Sequence, residues 1–311
     1  MTARLAWRVW TAQCMLPLAF ASGQTNAEQL LARCVETRDR PCIEKLLKAP
    51  APQGSPAYLA LTAQGFALLG RQQEAIAAIA AALKQKPGDY DLLLEQARIY
   101  QRSGHQIEAI QSFLEAAHLR TPTPEILFQI GMSFFLSREY ERAARHFEQA
   151  RKLDEKNDKA EFMLGVIDVI KDHNEAGAKA HYERALTLQP NNPHYLMHYG
   201  VLLVQLNELD QAAVNLEKAG KLDPSNPLTH FSLGRLYRHQ GQTAKARVEL
   251  EAAVRLRPEM ARAYYQLAIL YRQSGEIGKA QAAIKQFKRF KDQDSDDDPI
   301  GDFPSDSPAA K

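Results

Sequence analysis

The chain has 311 residues, 45% of them hydrophobic, enough to bury one large core or two ordinary ones. With 39 basic and 37 acidic side chains its formal charge is +2, which excludes the strong basic surplus of a typical nucleic-acid binder. The balance conceals an asymmetry near the C-terminus: Lys285, Lys288, Arg289 and Lys291 precede a stretch, 292–311, that holds seven Asp and one Lys.

Residues 1–23 read as a cleaved export signal. Arg4 and Arg8 supply the positive start, VWTAQCMLPLAFA a modest apolar run, and Ala19-Phe20-Ala21 or Ala21-Ser22-Gly23 a small-residue cleavage site. The run is short for a membrane span and is interrupted by Gln13, so the alternative is a retained N-terminal anchor. Cys14 leaves with the signal, and an exported chain then keeps Cys34 and Cys42 in ARCVETRDRPCIEKLL. Short helices are expected over 27–37 and 41–49, the second started by Pro41. They set the two cysteines at facing turns, where an even pair suggests a disulfide; the alternative is two buried thiols.

Beyond residue 55 the sequence repeats. Ala75, Ala109, Ala143, Ala178, Ala212, Ala246 and Ala280 recur every 34 residues, with one step of 35. Four residues after each comes a bulky apolar side chain: Ile79, Phe113, Phe147, Tyr182, Leu216, Leu250 and Ile284. About twelve residues before each comes a small one: Ala63, Ala97, Gly131, Gly165, Gly200, Gly234 and Ala268. Small residues in both halves predict a helical hairpin whose two backbones approach closely. Gly70, Gly104, Gly241 and Gly275 mark the turns between helices, and Pro87, Pro190, Pro224 and Pro258 end the second helix. The unit 158–192 departs from the pattern: it has one extra residue, Asp168 where an aromatic is expected, and no turn glycine. Two readings are open there, a tolerated loop insertion with Asp168 on an edge, or a local change of superhelical pitch. The tail 291–311, rich in Asp, Pro and Ser, reads as a disordered acidic segment.

Leu-x-x-x-Gly/Ala-x-x-Tyr/Phe, then Gly, then Ala-x-x-x-Phe, then Pro resembles the tetratricopeptide repeat. The resemblance covers 56–89, 90–123, 124–157, 158–192, 193–226, 227–260 and 261–290, and is closest in ARIYQRSG (97–104) and LAILYRQSG (267–275). It implies an all-α fold, a right-handed superhelical solenoid of about seven hairpins, with 24–55 as a degenerate N-terminal helical cap. It also implies a concave groove lined by the second, fifth, ninth, twelfth and thirteenth positions of each unit. On that frame Phe128, Met132, Phe135, Phe162, Val166, Met197 and Phe231 would give an apolar lining, and Arg235, Arg238 and Arg272 a cationic end. The competing reading is that tight superhelical curvature buries the apolar positions and leaves the arginines as a solvated face. The fifth positions Phe128, Phe162, Met197 and Phe231 do not reproduce the polar clamp of chaperone-binding members.

No phosphate loop, nucleophile elbow or C-x-x-C pair is present, and His194 and His198, four apart, lack a third ligand. The sequence therefore predicts neither catalysis, nor a cofactor, nor a metal. The expected function is an exported, periplasmic or secreted scaffold binding a partner segment with apolar side chains and an acidic or C-terminal carboxylate feature. The alternatives are a structural or assembly subunit docking through convex or edge surfaces, and an accessory module of an enzyme complex. No nucleic acid is expected as partner, and a membrane only if the signal is retained.

Overall fold

A computed structural model describes residues 26–48 and 54–291; the expected signal segment and the acidic stretch 292–311 lie outside them. Among the described residues the chain forms sixteen α-helices, one π-helical turn and no strand. It divides into two compact units, one up to Glu155 and one from Lys156.

The first unit opens with α1 (Asn26–Glu36) and α2 (Arg40–Leu46). Asp39 caps α2, its carboxylate accepting from the Cys42 amide at 3.1 Å. Cys34 and Cys42 form a disulfide with Cα atoms 5.9 Å apart. Leu31, Cys34, Val35 and Ile43 of this pair pack with Tyr58 and Leu61 of α3 (Pro56–Leu69), so the pair covers the first hairpin. That hairpin is completed by α4 (Gln72–Gln85), and α5 (Tyr90–Arg102) with α6 (Gln106–Leu119) and α7 (Pro124–Leu136) with α8 (Tyr140–Leu153) follow. The second unit holds α9 (Asp158–Ile167) with α10 (Glu175–Leu188), α11 (Pro193–Gln205) with α12 (Leu209–Leu222), α13 (Pro227–His239) with α14 (Thr243–Leu256), and α15 (Ala261–Gln273) with α16 (Ile277–Phe290).

Local chemistry explains the helix ends. Ser55, Asp89, Thr123, Asn157, Asn192 and Asn226 cap α3, α5, α7, α9, α11 and α13, and proline occupies the first turn of four of these six. The hairpin turns need a left-handed residue, and Gly70, Gly104, Gly241 and Gly275 supply it with φ between 72° and 81°. In two repeats Arg138 and Asn207 hold the same place with φ of 61° and 60°. At the first of these turns the Arg71 amide donates to the Phe66 carbonyl at 2.8 Å and the Gly70 amide to Ala67 at 3.2 Å, closing the helix with a Schellman motif.

The irregular repeat resolves into neither a loop insertion nor a plain helix end. After α9 the chain makes a π-helical turn over Asp168–Asp172, and the His173 amide donates back to the Asp168 carbonyl. A wider turn takes up the one extra residue, and His173, with φ of 47°, stands where other repeats have their turn residue.

Within each hairpin the two helices meet at the periodic small residue. A Cβ at Gly131 would lie 2.6 Å from a ring carbon of Phe147, at Gly165 2.8 Å from Tyr182, at Gly200 2.6 Å from Leu216, and at Gly234 2.5 Å from Leu250. Each partner is the bulky residue four places after the periodic alanine, and the seven alanines are themselves buried. Gly234→Ala should gain about 1 kcal/mol of helix propensity and lose about 1–3 kcal/mol to overpacking against the Leu250 side chain. The expected outcome is a net loss of stability in chemical denaturation, relieved when Leu250→Ala is added.

Candidate functional site

The positions projected onto an open apolar groove are mostly closed. Phe128, Phe135, Phe162, Val166, Met197 and Phe231 are buried, and of that group only Met132 remains half-exposed. Spacing is the reason. Phe128, Phe162, Met197 and Phe231 each precede the small residue of their helix by three, so they share its hairpin-facing side. In the first unit Phe128 packs on Phe147 with ring centroids 5.2 Å apart, and Phe135 meets Tyr140 edge-on at 5.5 Å. In the second, Phe162 stacks on Tyr195 at 4.6 Å, with Tyr182 at 5.6 Å and His198 edge-on at 5.2 Å. These residues hold repeats together and are core rather than groove lining.

The polar end of the projected face is different. α11, α13 and α15 contain no Asp or Glu at all, whereas α13 and α15 carry Arg235, Arg238, Arg262 and Arg272. Arg272 is exposed, Arg238 and Arg262 are half-buried, and Arg235 is buried. Arg262 of α15 and Arg235 of α13 lie over the Phe231 ring, 5.3 and 5.9 Å from its centroid. The ring orients two guanidinium planes while the cations keep a positive potential above it. Arg262 was not singled out by the sequence reading, although its place at the second position of its repeat was visible there. Guanidinium groups clustered in this way recognise carboxylates, with planar, paired hydrogen bonds.

Ionisable groups elsewhere bind helices to one another. Tyr199, Tyr237 and Tyr271 donate to Glu183, Glu217 and Glu251 at 2.7, 2.9 and 2.8 Å, each tying a first helix to the second helix of the preceding repeat. Burial and the carboxylate acceptor push Tyr237 and Tyr271 up to about 12. Glu161, fully buried in α9, accepts from His181 Nδ1 at 2.7 Å and pairs with Arg184 Nε at 3.0 Å, while His181 Nε2 lies 3.9 Å from Asp168. The sequence reading missed this cluster, because Glu161 and His181 are 20 residues apart and meet only when α9 and α10 pack. His194 and His198 lie with rings 4.4 Å apart, and among the described residues no group of three or more His, Cys, Asp or Glu is placed to hold a metal ion. No helix among them is long and apolar enough to cross a membrane.

Family models described as tetratricopeptide repeat or TPR repeat match residues 124–157, 200–238, 234–275 and 261–293. The chain is a tetratricopeptide-repeat protein. No curated protein matches its sequence. Among solved structures it is similar to the APC/C hetero-tetramer Cut9–Hcn1, with a TM-score of 0.63 and 16% identity over 80% of this chain and 49% of that one. It is also similar to a tetratricopeptide repeat protein from Parabacteroides merdae (TM-score 0.61, 16% identity, 79% of this chain and 99% of that one). PilF of Pseudomonas aeruginosa gives a TM-score of 0.57 at 19% identity over 65% of this chain and 92% of that one. The chain spans about half the length of the first of these, and identities this low show the fold alone. The tetratricopeptide-repeat fold characteristically serves as a protein–protein interaction scaffold and is generally non-enzymatic.

Two histidines of this repeat protein respond to acid in opposite directions. Burial, with His194 beside it, holds His198 well below the usual histidine range. The unfolded chain therefore takes up that proton first, and stability is lost as pH falls below about 6.5. His230, whose Nδ1 lies 2.6 Å from Glu249, is raised by that hydrogen bond. Its contribution is complete below about pH 6.5 and is lost as pH rises through its folded value. In thermal melts between about pH 7 and pH 5, His198→Gln should therefore resist acidification better than the parent, and His230→Gln worse.

Proposed function

We propose that this chain is an exported, non-enzymatic scaffold that binds a carboxylate-bearing segment of another protein on the α13–α15 face of its second unit. The observation that carries the reading is the pairing of four arginines with the absence of any acid from α11, α13 and α15. A face of this kind attracts acidic side chains or a C-terminal carboxylate at long range and grips them at short range. Half-buried Ile269 and Tyr265 add apolar surface beside the charge, which suits a segment that mixes acidic and apolar residues. Export is supported by the form of residues 1–23 and by the Cys34–Cys42 disulfide, which persists in oxidising compartments such as a bacterial periplasm.

A second reading has its own observation. Val214 of α12 and Val248 of α14 stand 34 residues apart and are 68% and 60% exposed. Apolar side chains repeated in register on the second helices would suit permanent docking into an assembly through that face.

Crosslinking in the native envelope, followed by identification of the attached proteins, separates the two. Arg238→Glu with Arg272→Glu should remove most crosslinked partners while leaving the helical circular dichroism unchanged, and Val214→Asp with Val248→Asp should leave them in place. The opposite pattern establishes the assembly reading, and identical partner lists for all variants sink the arginine face. Mass spectrometry of the chain recovered from that fraction should find the N-terminus removed up to Ala21 or Gly23. An intact Met1 would overturn cleavage of the signal.

A further inference from the structure

The arginine face lies beside the point where the described chain ends. α16 runs back along α15, so that Phe290 stacks on Tyr264 with centroids 6.2 Å apart and Phe287 lies 5.4 Å from Tyr265. Arg262 is two residues before Tyr264 and reaches over Phe231 of α13. The segment that follows Lys291, DQDSDDDPIGDFPSDSPAAK, therefore starts next to the first turn of α15. It concentrates seven Asp against one Lys, with Ile300 and Phe303 just beyond the run Asp296–Asp298. That is the chemistry the α13–α15 face was argued to select: carboxylates in close succession, with apolar side chains beside them.

Distances favour the contact. Asp296 is five residues past Lys291, and five extended residues span up to about 18 Å. Phe231 and Arg238 are seven residues apart on one helix, about 10 Å along its axis. A tether this short holds the acidic run near the face at an effective concentration on the order of millimolar, enough to populate a contact that would be weak between separate molecules. Four arginines without a neighbouring acid on either helix, set against a run of aspartates, also lower their mutual repulsion by meeting.

We propose that residues 292–311 dock across the α13–α15 face of their own chain, Asp296, Asp297 and Asp298 meeting Arg238, Arg262 and Arg272, and so compete with any partner that uses that face. The docking stands on charge and geometry alone; the competition rests on the function proposed above.

The test places the photoreactive residue benzoyl-phenylalanine at position 303 of the full chain and maps the crosslinks by peptide mass spectrometry. Crosslinks within one molecule to α13 and α15 are expected. Most of their yield should be lost in the Arg238→Glu/Arg262→Glu/Arg272→Glu variant and at about 1 M salt, where charges more than about 3 Å apart are screened. Crosslinks scattered over the surface, made to a second copy, or unchanged in the variant overturn the docking. A full-length chain with Asp292, Asp294, Asp296, Asp297 and Asp298 changed to Asn supplies the second readout. It should bind a fluorescein-labelled synthetic 292–311 peptide several-fold more tightly than the parent chain. Equal binding by both overturns the competition. Crosslinks to α13 and α15 without any envelope partner that depends on the arginines would keep the docking and sink the scaffold reading. Arginine-dependent partners without those crosslinks would do the reverse.

Discussion

At Gly200 and Gly234 the space a Cβ would fill is already occupied by Leu216 and Leu250, 2.6 and 2.5 Å away, and the Ala212 and Ala246 carbonyls lie close behind. This contact between a missing side chain and a large one fixes the distance between the two helices of a hairpin. Everything else in a repeat follows from that distance. The periodic alanine must be small because its backbone is the surface the first helix rests on. The residue three before the glycine must be apolar because it faces the same seam. Tyr237 and Tyr271 can reach the glutamates of the preceding repeat only because the helices that carry them stand at a constant separation.

The same constraint decides where variation is tolerated. Inside the seam Phe128, Phe162, Met197 and Phe231 change identity from repeat to repeat but stay apolar, since they fill a volume set by their hairpin. The extra residue of the repeat 158–192 falls outside the seam, where a π-helical turn over Asp168–Asp172 absorbs it, and Gly165 still meets Tyr182. Charge is free to vary on the remaining faces, and on α13 and α15 it has drifted to one sign.

Much of this was legible in the residues. The period, the caps and the turn glycines are local signals, each satisfied within a few residues of chain, so they announce helices and bends without knowledge of the fold. The two left-handed turns without glycine, at Arg138 and Asn207, were less visible because tertiary packing imposes that conformation on side chains that do not favour it. The groove expectation erred for a related reason. Numbering positions by family frame placed Phe128 and Phe162 on an open face, whereas their spacing of three from Gly131 and Gly165 already pointed them into the hairpin. The buried cluster of Glu161, His181 and Arg184 had no sequence signal, since its members come together only across two packed helices.

The sequence by itself determined the architecture, because a repeat writes the same short-range contacts seven times and each copy corroborates the others. It also determined that α11, α13 and α15 carry no acid, since composition needs no coordinates. Tertiary structure decided which side chains remained on the surface. Burial depends on what the neighbouring hairpin places opposite a residue, and that neighbour stands about 34 positions away in sequence but within 5 Å in space, as Phe162 and Tyr195 show with 4.6 Å between their rings.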